Sequence, residues 1–277
     1  MILDAHVHIK EGPVEQEKFL GWLKACGVDG AVMISMRPKS FAAIGNVAAP
    51  EERLRNLLEW VRWQPMLFPF YYLDPTEEDA LDQVEMAVKA KVAGFKVICN
   101  HFYPGDERAM PVYRAIAEAR KPLLFHSGIL WDGQPSSKFN RPSEWEAMLD
   151  VPKLRFALAH ISWPWVDECV AVYGKFQSAL GKRPDLSCEM FIDLTPGTPR
   201  IYRQDALTKV FNVGYDVRKN VLFGTDGTTK WYPTDWAPYW IRRDNEIYDV
   251  IEVGPETREN VFHRNLERFL RLPDARP

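Results

Sequence analysis

Eight short apolar runs, separated by segments with helical periodicity, are the feature that most constrains the fold of this chain. The runs are continuous rather than alternating, which is typical of parallel strands covered on both faces. They span residues 2–9, 30–35, 66–73, 94–99, 122–127, 154–160, 186–192 and 220–226. Eight strands that alternate with helices predict an α/β fold, a (β/α)₈ TIM barrel.

Five of the intervening or following segments show the amphipathic periodicity of surface helices. They are residues 76–92, 109–120, 164–180, 235–250 and 256–271. A doubly wound open sheet is the alternative architecture. Because no GxGxxG or P-loop sequence follows an early strand, the sequence favours the barrel. A chain of 277 residues suits one such barrel, and we expect residues 1–277 to form a single domain.

The composition and charge exclude several classes of function. A net charge of −3 provides no basic surface for nucleic acid or for anionic membranes. No apolar run approaches the roughly 20 residues of a membrane span, and the first residues lack the pattern of a signal peptide. The four cysteines form no CxxC motif and are read as reduced thiols. We therefore expect a cytoplasmic protein that acts on a small molecule, with a homodimer as one expected assembly.

Polar side chains interrupt the apolar runs near their carboxyl ends, except for Lys96, which lies a few residues earlier in its run. They are His6 and His8 in the first run, Lys96 in the fourth, His126 in the fifth, His160 in the sixth and Asp226 in the eighth. Each has an ordinary structural explanation when taken alone; an aspartate there, for example, often caps a helix. The carboxyl ends of barrel strands meet at one rim, where the active sites of this fold lie. Because these polar side chains lie close to one level of the barrel, the sequence predicts that they share a site.

The spacing within "DAHVHI" supports a metal site at this rim. Residues two apart in a strand point to the same face, so His6 and His8 point the same way if Val7 faces the helices. With His126 and Asp226 they form a mixed set of nitrogen and oxygen donors. That set suits Zn²⁺ or a similar divalent ion, with one position left for water.

Three long segments, residues 128–143, 193–202 and 227–236, follow strands and are expected at the same rim. They carry Arg141, Arg200 and Lys230, Arg203 directly follows the second of them, and Arg37 follows the second run. A guanidinium binds a carboxylate through two parallel hydrogen bonds, so such cations favour a carboxylated substrate. Aromatic residues such as Trp131 can line an apolar pocket. His101 follows the fourth run and is a further candidate for substrate binding.

The ordered set of these motifs resembles the amidohydrolase superfamily, and within it the amidohydrolase-2 branch. That branch includes decarboxylases similar to aminocarboxymuconate-semialdehyde decarboxylase and small lactonases. The resemblance covers nearly the whole chain and rests on the following segments: "DAHVH", "AGFKVI", "KPLLFHSG", "FALAH", "VLFGTD" and "NLERFL" (265–270). Two segments depart from the branch, namely Ile-Ser-Trp after His160 and Gly-Thr-Thr after Asp226.

The resemblance implies one divalent metal ion, with zinc expected, held by His6, His8, His126 and Asp226. It also implies that His160 is a catalytic residue close to the metal. Because the Gly-x-Lys form of the fourth strand is typical of members with one metal ion, Lys96 is expected to contact substrate or to donate a hydrogen bond.

The expected function is that of a hydrolase that acts through an activated water on a small carboxylated lactone, ester or amide. Asp226 would accept a proton from the water, and His160 would stabilise the hydroxide or the developing oxyanion. A metal-dependent decarboxylase of an aromatic or unsaturated carboxylic acid is one alternative. A metal-free lactonase or a ligand-binding barrel without enzymatic activity is the other.

Overall fold

The computed structural model describes residues 1–44 and 48–271. In these ranges one parallel sheet contains nine strands: β1 (Leu3–His8), β2 (Gly30–Ile34), β3 (Leu67–Tyr72), β4 (Gly94–Val97), β5 (Leu123–Phe125), β6 (Arg155–Leu158), β7 (Glu189–Asp193), β8 (Val221–Leu222) and β9 (Gly227–Thr228). The order is β8-β7-β6-β5-β4-β3-β2-β1-β9. Residues 272–277, at the end of the predicted domain, lie outside the described residues.

The eighth predicted strand is divided into two short strands, and together they close the barrel. β8 pairs with β7, whereas β9 pairs with β1 on the other side. Between them, the carbonyl oxygen of Phe223 accepts a hydrogen bond from the amide of Ala5 at 2.9 Å. The predicted α/β fold, a (β/α)₈ TIM barrel, is confirmed.

Helices alternate with the strands along the chain. In the described ranges they are α1 (Gln16–Ala25), α2 (Pro50–Trp60), α3 (Ala80–Lys89), α4 (Ala109–Glu118), α5 (Val166–Lys182), α6 (Arg203–Asn212), α7 (Trp236–Val250), α8 (Pro255–Glu259) and α9 (Asn265–Leu270), with a π-helical turn at Asn260–Arg264. All five predicted helical segments contain a helix. α1, α2 and α6 fall outside those segments; α1 buries only Phe19 and Leu23, which is a narrow apolar stripe. No described helix combines the length and the apolar character needed to cross a membrane.

The apolar side chains form two layers. The inner layer fills the barrel and includes Leu3, Ala5 and Phe70, and Phe269 of α9 packs against it. The outer layer lies between the sheet and the helices and includes Val7 and Ile9. The first strand therefore contributes to both layers, and the change from one to the other occurs immediately before the two histidines.

A buried ion pair ties two helices to the end of the seventh strand. The guanidinium of Arg203 donates to the two carboxylate oxygens of Asp244 at 2.8 and 2.6 Å, and both side chains are nearly inaccessible to solvent. It also donates to the carbonyl oxygen of Leu194, at 2.7 Å. Leu194 directly follows β7, so this pair fixes the position of that strand end.

We expect Asp244→Asn to lower the free energy of unfolding by about 3–5 kcal/mol, because it leaves the buried Arg203 without a counter-charge. Asp249→Asn is the matched control. Asp249 lies in α7, as Asp244 does, and pairs with Arg258 of α8, but its side chain is 71 % exposed. Its cost should be about 0–1 kcal/mol. Urea unfolding followed by circular dichroism measures both. Equal costs for the two variants would contradict this account.

Candidate active site

A β-bulge in the first strand turns two histidines into the barrel. Asp4 pairs with Ala31 of β2, but the pairing resumes with Val7 opposite Met33, so β1 holds one extra residue here. Such a bulge reverses the alternation of side chains along a strand. Leu3 and Ala5 consequently face the interior at the start of the strand, whereas Val7 and Ile9 face the helices at its end. His6 and His8 therefore point into the mouth of the barrel.

The carboxylate of Asp4 holds this bulge and joins it to the eighth strand segment. Its Oδ1 atom accepts hydrogen bonds from the amides of His6 and Thr225, both at 2.9 Å. Its Oδ2 atom accepts from the hydroxyls of Thr225, at 2.5 Å, and Tyr232, at 2.9 Å. Burial raises the pKa of Asp4 to about 6, although these hydrogen bonds oppose the shift. Because Thr225 precedes Asp226, one buried carboxylate positions both His6 and Asp226.

Three donor atoms converge at the mouth of the barrel. His6 Nε2 lies 3.2 Å from His8 Nε2 and 3.7 Å from Asp226 Oδ1, and His8 Nε2 lies 3.4 Å from the same oxygen. Among the described residues, these three side chains form the group of His, Cys, Asp and Glu whose donor atoms could hold a metal ion. The structure thus brings together three of the four predicted ligands.

A second buried carboxylate, that of Asp193, stands behind His6. Asp193 Oδ2 accepts a hydrogen bond from His6 Nδ1 at 2.8 Å, and both side chains are almost fully buried. The proton is therefore assigned to Nδ1, and the lone pair of Nε2 faces His8 and Asp226. A carboxylate behind a histidine in this way is common in metal sites, and the nitrogen and oxygen donors fit Zn²⁺.

Asp193 was not among the residues predicted from the sequence. It is the last residue of β7 and lies at the same level as the other strand-end residues. A carboxylate that ends the buried run "EMFID" carried the same signal as Asp226 in "VLFGTD".

The pKa values of the three converging groups reflect their burial and their closeness. Burial, together with the charge of Lys96, holds the pKa of His6 well below its ordinary value. Burial also lowers the pKa of His8. Desolvation acts to raise the pKa of Asp226, but the hydrogen bond with His8 and the nearby imidazoles outweigh it, so the net shift is downward. The arrangement favours neutral imidazoles next to an ionised carboxylate, which are the forms that bind metal.

His160 lies on a strained segment of backbone. His160, Ile161 and Ser162 have φ values of 63°, 48° and 54°, a left-handed conformation that is unfavourable for a β-branched isoleucine. The hydroxyl of Ser127 donates to that of Ser162 at 2.8 Å, which ties the segment to the end of β5. Gly197 provides the space, because a Cβ atom there would lie 2.7 Å from Cβ of His160.

This backbone places the His160 ring between two other histidines. Its centroid lies 5.4 Å from that of His6 and 4.9 Å from that of His126. Burial lowers the pKa of His160 to about 4, so the imidazole is neutral near pH 7. His126 donates from Nε2 to the carbonyl oxygen of Ile129 at 3.2 Å. It lies beside the three converging donors but outside their group, and its role as a ligand stays a prediction.

These groups line a cavity of about 490 Å³ at the barrel mouth. Two of the predicted substrate contacts, Lys96 and Trp131, line it. Lys96 Nζ lies 3.3 Å from His6 Nε2, and burial lowers the pKa of this lysine to about 8. Trp131 is 78 % exposed and lies at the rim. Arg37, named from the sequence after the second strand, also lines the cavity, as do Lys10 and Tyr72, which were not predicted.

The remaining predicted contacts lie elsewhere on this face. His101 contacts Thr76 and Asp74 and lines a neighbouring cavity. Arg141 pairs with Glu168 at 2.7 Å. Two others make different contacts: the guanidinium of Arg200 lies 4.4 Å from the ring centroid of Tyr239, and Lys230 lies against Gly12. Their roles in substrate binding stay predictions.

The fold and this site define a class of protein, a barrel enzyme whose histidines and carboxylate meet at the carboxyl ends of the strands. The amidohydrolase family model Amidohydro_2 matches residues 4–272. The chain belongs to this amidohydrolase family, and the resemblance drawn from its motifs is confirmed.

Solved structures of low sequence identity share the fold. An amidohydrolase from Burkholderia multivorans with bound zinc has a TM-score of 0.64 and 11 % identity, over 99 % of this chain and 100 % of that chain. A probable 2-pyrone-4,6-dicarboxylic acid hydrolase from Acinetobacter baumannii, with citric acid bound, has a TM-score of 0.61 and 10 % identity, over 97 % and 98 %. A dihydroorotase from Campylobacter jejuni has a TM-score of 0.60 and 14 % identity, over 99 % and 84 %. A search of the curated proteins found no match.

We expect Asp4→Ala to weaken zinc binding at least 10-fold, because the bulge that aims His6 loses its support. Asp29→Ala is the control, since Asp29 accepts a hydrogen bond from the amide of Ile2 at the opposite end of the strand. Calorimetric titration of zinc into each variant measures the affinity, and circular dichroism checks the fold. A folded Asp4→Ala protein that binds zinc as tightly as wild type would show that Asp4 does not position the site.

Asp193→Ala should weaken zinc binding by about 10–100-fold, because the proton on His6 is then no longer confined to Nδ1. The control is Asp132→Ala, which removes a carboxylate from the wall of the same cavity. Competition with a fluorescent zinc chelator gives both affinities. If the two variants lose affinity equally, the loss comes from the general charge of the cavity and not from the hydrogen bond to His6.

Proposed function

We propose that this protein is a hydrolase that depends on one divalent ion, zinc, and cleaves a small carboxylated lactone, ester or amide. One observation carries the proposal, namely the convergence of His6 Nε2, His8 Nε2 and Asp226 Oδ1. The hydrogen bond from His6 to Asp193 supports it, because it turns the lone pair of His6 toward the other two donors.

The known structures agree with this reading. The neighbour from Burkholderia multivorans has bound zinc, and that from Acinetobacter baumannii is a probable hydrolase of a dicarboxylic acid. When bound, zinc supplies Lewis acidity, which lowers the pKa of a water molecule to about 7 and polarises a carbonyl group. His6, His8 and Asp226 would hold it, and His126 is the predicted fourth ligand.

The side chains of this chain would carry the proton and stabilise the charge. Asp226 accepts a proton from the attacking water as the oxygen bonds to the carbonyl carbon. The neutral imidazole of His160 donates a hydrogen bond to the developing oxyanion. The bond to the leaving oxygen or nitrogen then breaks, and the leaving group takes the proton from Asp226. The products are a carboxylic acid and an alcohol or amine, joined in one molecule when the substrate is a lactone.

The cavity suits a small substrate. Its volume of about 490 Å³ falls within the range of about 300–1,000 Å³ of typical small-molecule sites. Ile129, Leu130 and Trp163 contribute apolar surface to one part of its wall. A substrate with an apolar or ring-shaped body fits this lining.

The first test is metal analysis and a screen for hydrolysis. Protein purified without added zinc should contain close to one zinc per chain and should open lactones or cleave esters from a panel of carboxylated compounds. The double variant His6→Ala with His8→Ala should lose both the metal and more than 100-fold of the activity. His263→Ala should lose neither, because His263 lies beside Glu267 in the terminal helices.

The same screen separates the alternatives. Release of carbon dioxide in place of a ring-opened acid would identify a decarboxylase and overturn the hydrolase assignment. Hydrolysis that is unchanged in the double variant would identify a metal-free lactonase. A folded wild-type protein without metal or turnover would favour a ligand-binding barrel.

A further inference from the structure

Two cations and an apolar segment of the cavity wall lie on opposite sides of β4. Lys10, Arg37 and Tyr72 line the cavity on the side of β1, β2 and β3. Ile129, Leu130 and Trp131, which follow β5, contribute an apolar surface to the same cavity. Since β5 is separated from β3 by β4 in the sheet, Ile129, Leu130 and Trp131 lie in a different sector of the barrel mouth from the two cations. The sector of the cations also contains Ile9 and Phe41.

Lys10 belongs to the same row of side chains as the two histidines. His6, His8 and Lys10 are spaced two residues apart beyond the bulge, and all three line the cavity. The amide of Lys10 is held by the hydroxyl of Thr229 at 3.0 Å. The bulge that aims the candidate metal ligands therefore also aims this ammonium group, one step farther from the barrel interior.

The ammonium group of Lys10 lies in a confined position. Lys10 is partly buried and lines the cavity together with Arg37. Within the described residues Lys10 forms no ion pair with a carboxylate, and Asp226 is engaged with His6 and His8. Two like charges on the wall of one cavity repel each other, and an anionic ligand between them would relieve this repulsion.

Tyr72 adds an unsatisfied donor to the same sector. It ends β3, is 2 % exposed, and its hydroxyl has no hydrogen-bond partner among the described residues. Burial raises the pKa of Tyr72 well above its ordinary value, so the phenol keeps its proton and can donate it. A buried hydroxyl without a hydrogen-bond partner is unfavourable unless a ligand accepts its hydrogen bond.

We propose that Lys10, Arg37 and the hydroxyl of Tyr72 bind the carboxylate of the substrate. This inference rests on the proposed function and adds the residues that select the substrate. An apolar body would then lie against Ile129, Leu130 and Trp131, with the scissile carbonyl at the histidines. Arg141, Arg200 and Lys230, the cations predicted from the loops, are not assigned to this site.

The test compares two probes of the same shape, benzoate and its neutral analogue benzamide, by calorimetric titration. Wild-type protein should bind benzoate at least 10-fold more tightly than benzamide. Lys10→Gln and Arg37→Gln should each weaken benzoate binding at least 10-fold and leave benzamide binding unchanged. Tyr72→Phe should weaken it several-fold, and Lys10→Arg should restore part of the loss seen in Lys10→Gln. Lys39→Gln is the matched control, since Lys39 is exposed and follows Arg37 by two residues.

Zinc content, measured on every variant, separates the two proposals. If benzoate binding depends on Lys10 and Arg37 in a protein that neither holds zinc nor hydrolyses esters, the carboxylate site stands and the hydrolase does not. If zinc-dependent hydrolysis is found but Lys10→Gln and Arg37→Gln bind benzoate like wild type, the carboxylate site is wrong. The site is also wrong if benzoate binding is lost only in the double variant His6→Ala with His8→Ala, because the probe then binds the metal.

Discussion

One extra residue in the first strand determines whether His6 and His8 face the barrel mouth or the surrounding helices. Without the bulge between Asp4 and Val7, the alternation that buries Leu3 and Ala5 inside the barrel would direct His6 and His8 toward the helices. The bulge reverses that alternation and brings the two imidazoles and Lys10 to the cavity. A single irregularity in backbone pairing thus orients two of the candidate metal ligands and one cation of the pocket.

Two buried carboxylates stabilise this arrangement from different directions. Asp4 accepts hydrogen bonds from the backbone of the bulge and from the segment that carries Asp226, and Asp193 fixes the ring of His6 from the seventh strand. His160 and Asp226, at the same level of the barrel, both have positive φ values. Residues held in such conformations cluster at functional sites, because the surrounding contacts must support them. The regular strands below provide that support.

Much of the fold and part of the site could be predicted from sequence, for identifiable reasons. Continuous apolar runs identify buried parallel strands, and topology then brings their carboxyl ends together, which is how His6, His8 and Asp226 were grouped. The period of two shows that His6 and His8 share a face, but it does not show which face, because a bulge leaves no residue signature in "DAHVHI". The division of the eighth strand into two likewise leaves no signature in the residues and was not predicted.

The binding residues were harder to predict than the metal ligands. Among the cations named from the sequence, Lys96 and Arg37 line the cavity, whereas Arg141, Arg200 and Lys230 do not. Lys10 also lines it and was not predicted. A loop can direct a long side chain toward the cavity or toward another surface group, and Arg141 is paired with Glu168. Arg203 shows the same difficulty, since it lies in a buried ion pair with Asp244.

The most direct measurement of the central claim is anomalous X-ray diffraction at the zinc edge, from crystals of protein purified without added metal. We expect one anomalous peak at bonding distance from His6 Nε2, His8 Nε2 and Asp226 Oδ1, with His6 Nδ1 still hydrogen-bonded to Asp193. The absence of a peak at these atoms in well-ordered crystals, or a peak held by other residues, would contradict it.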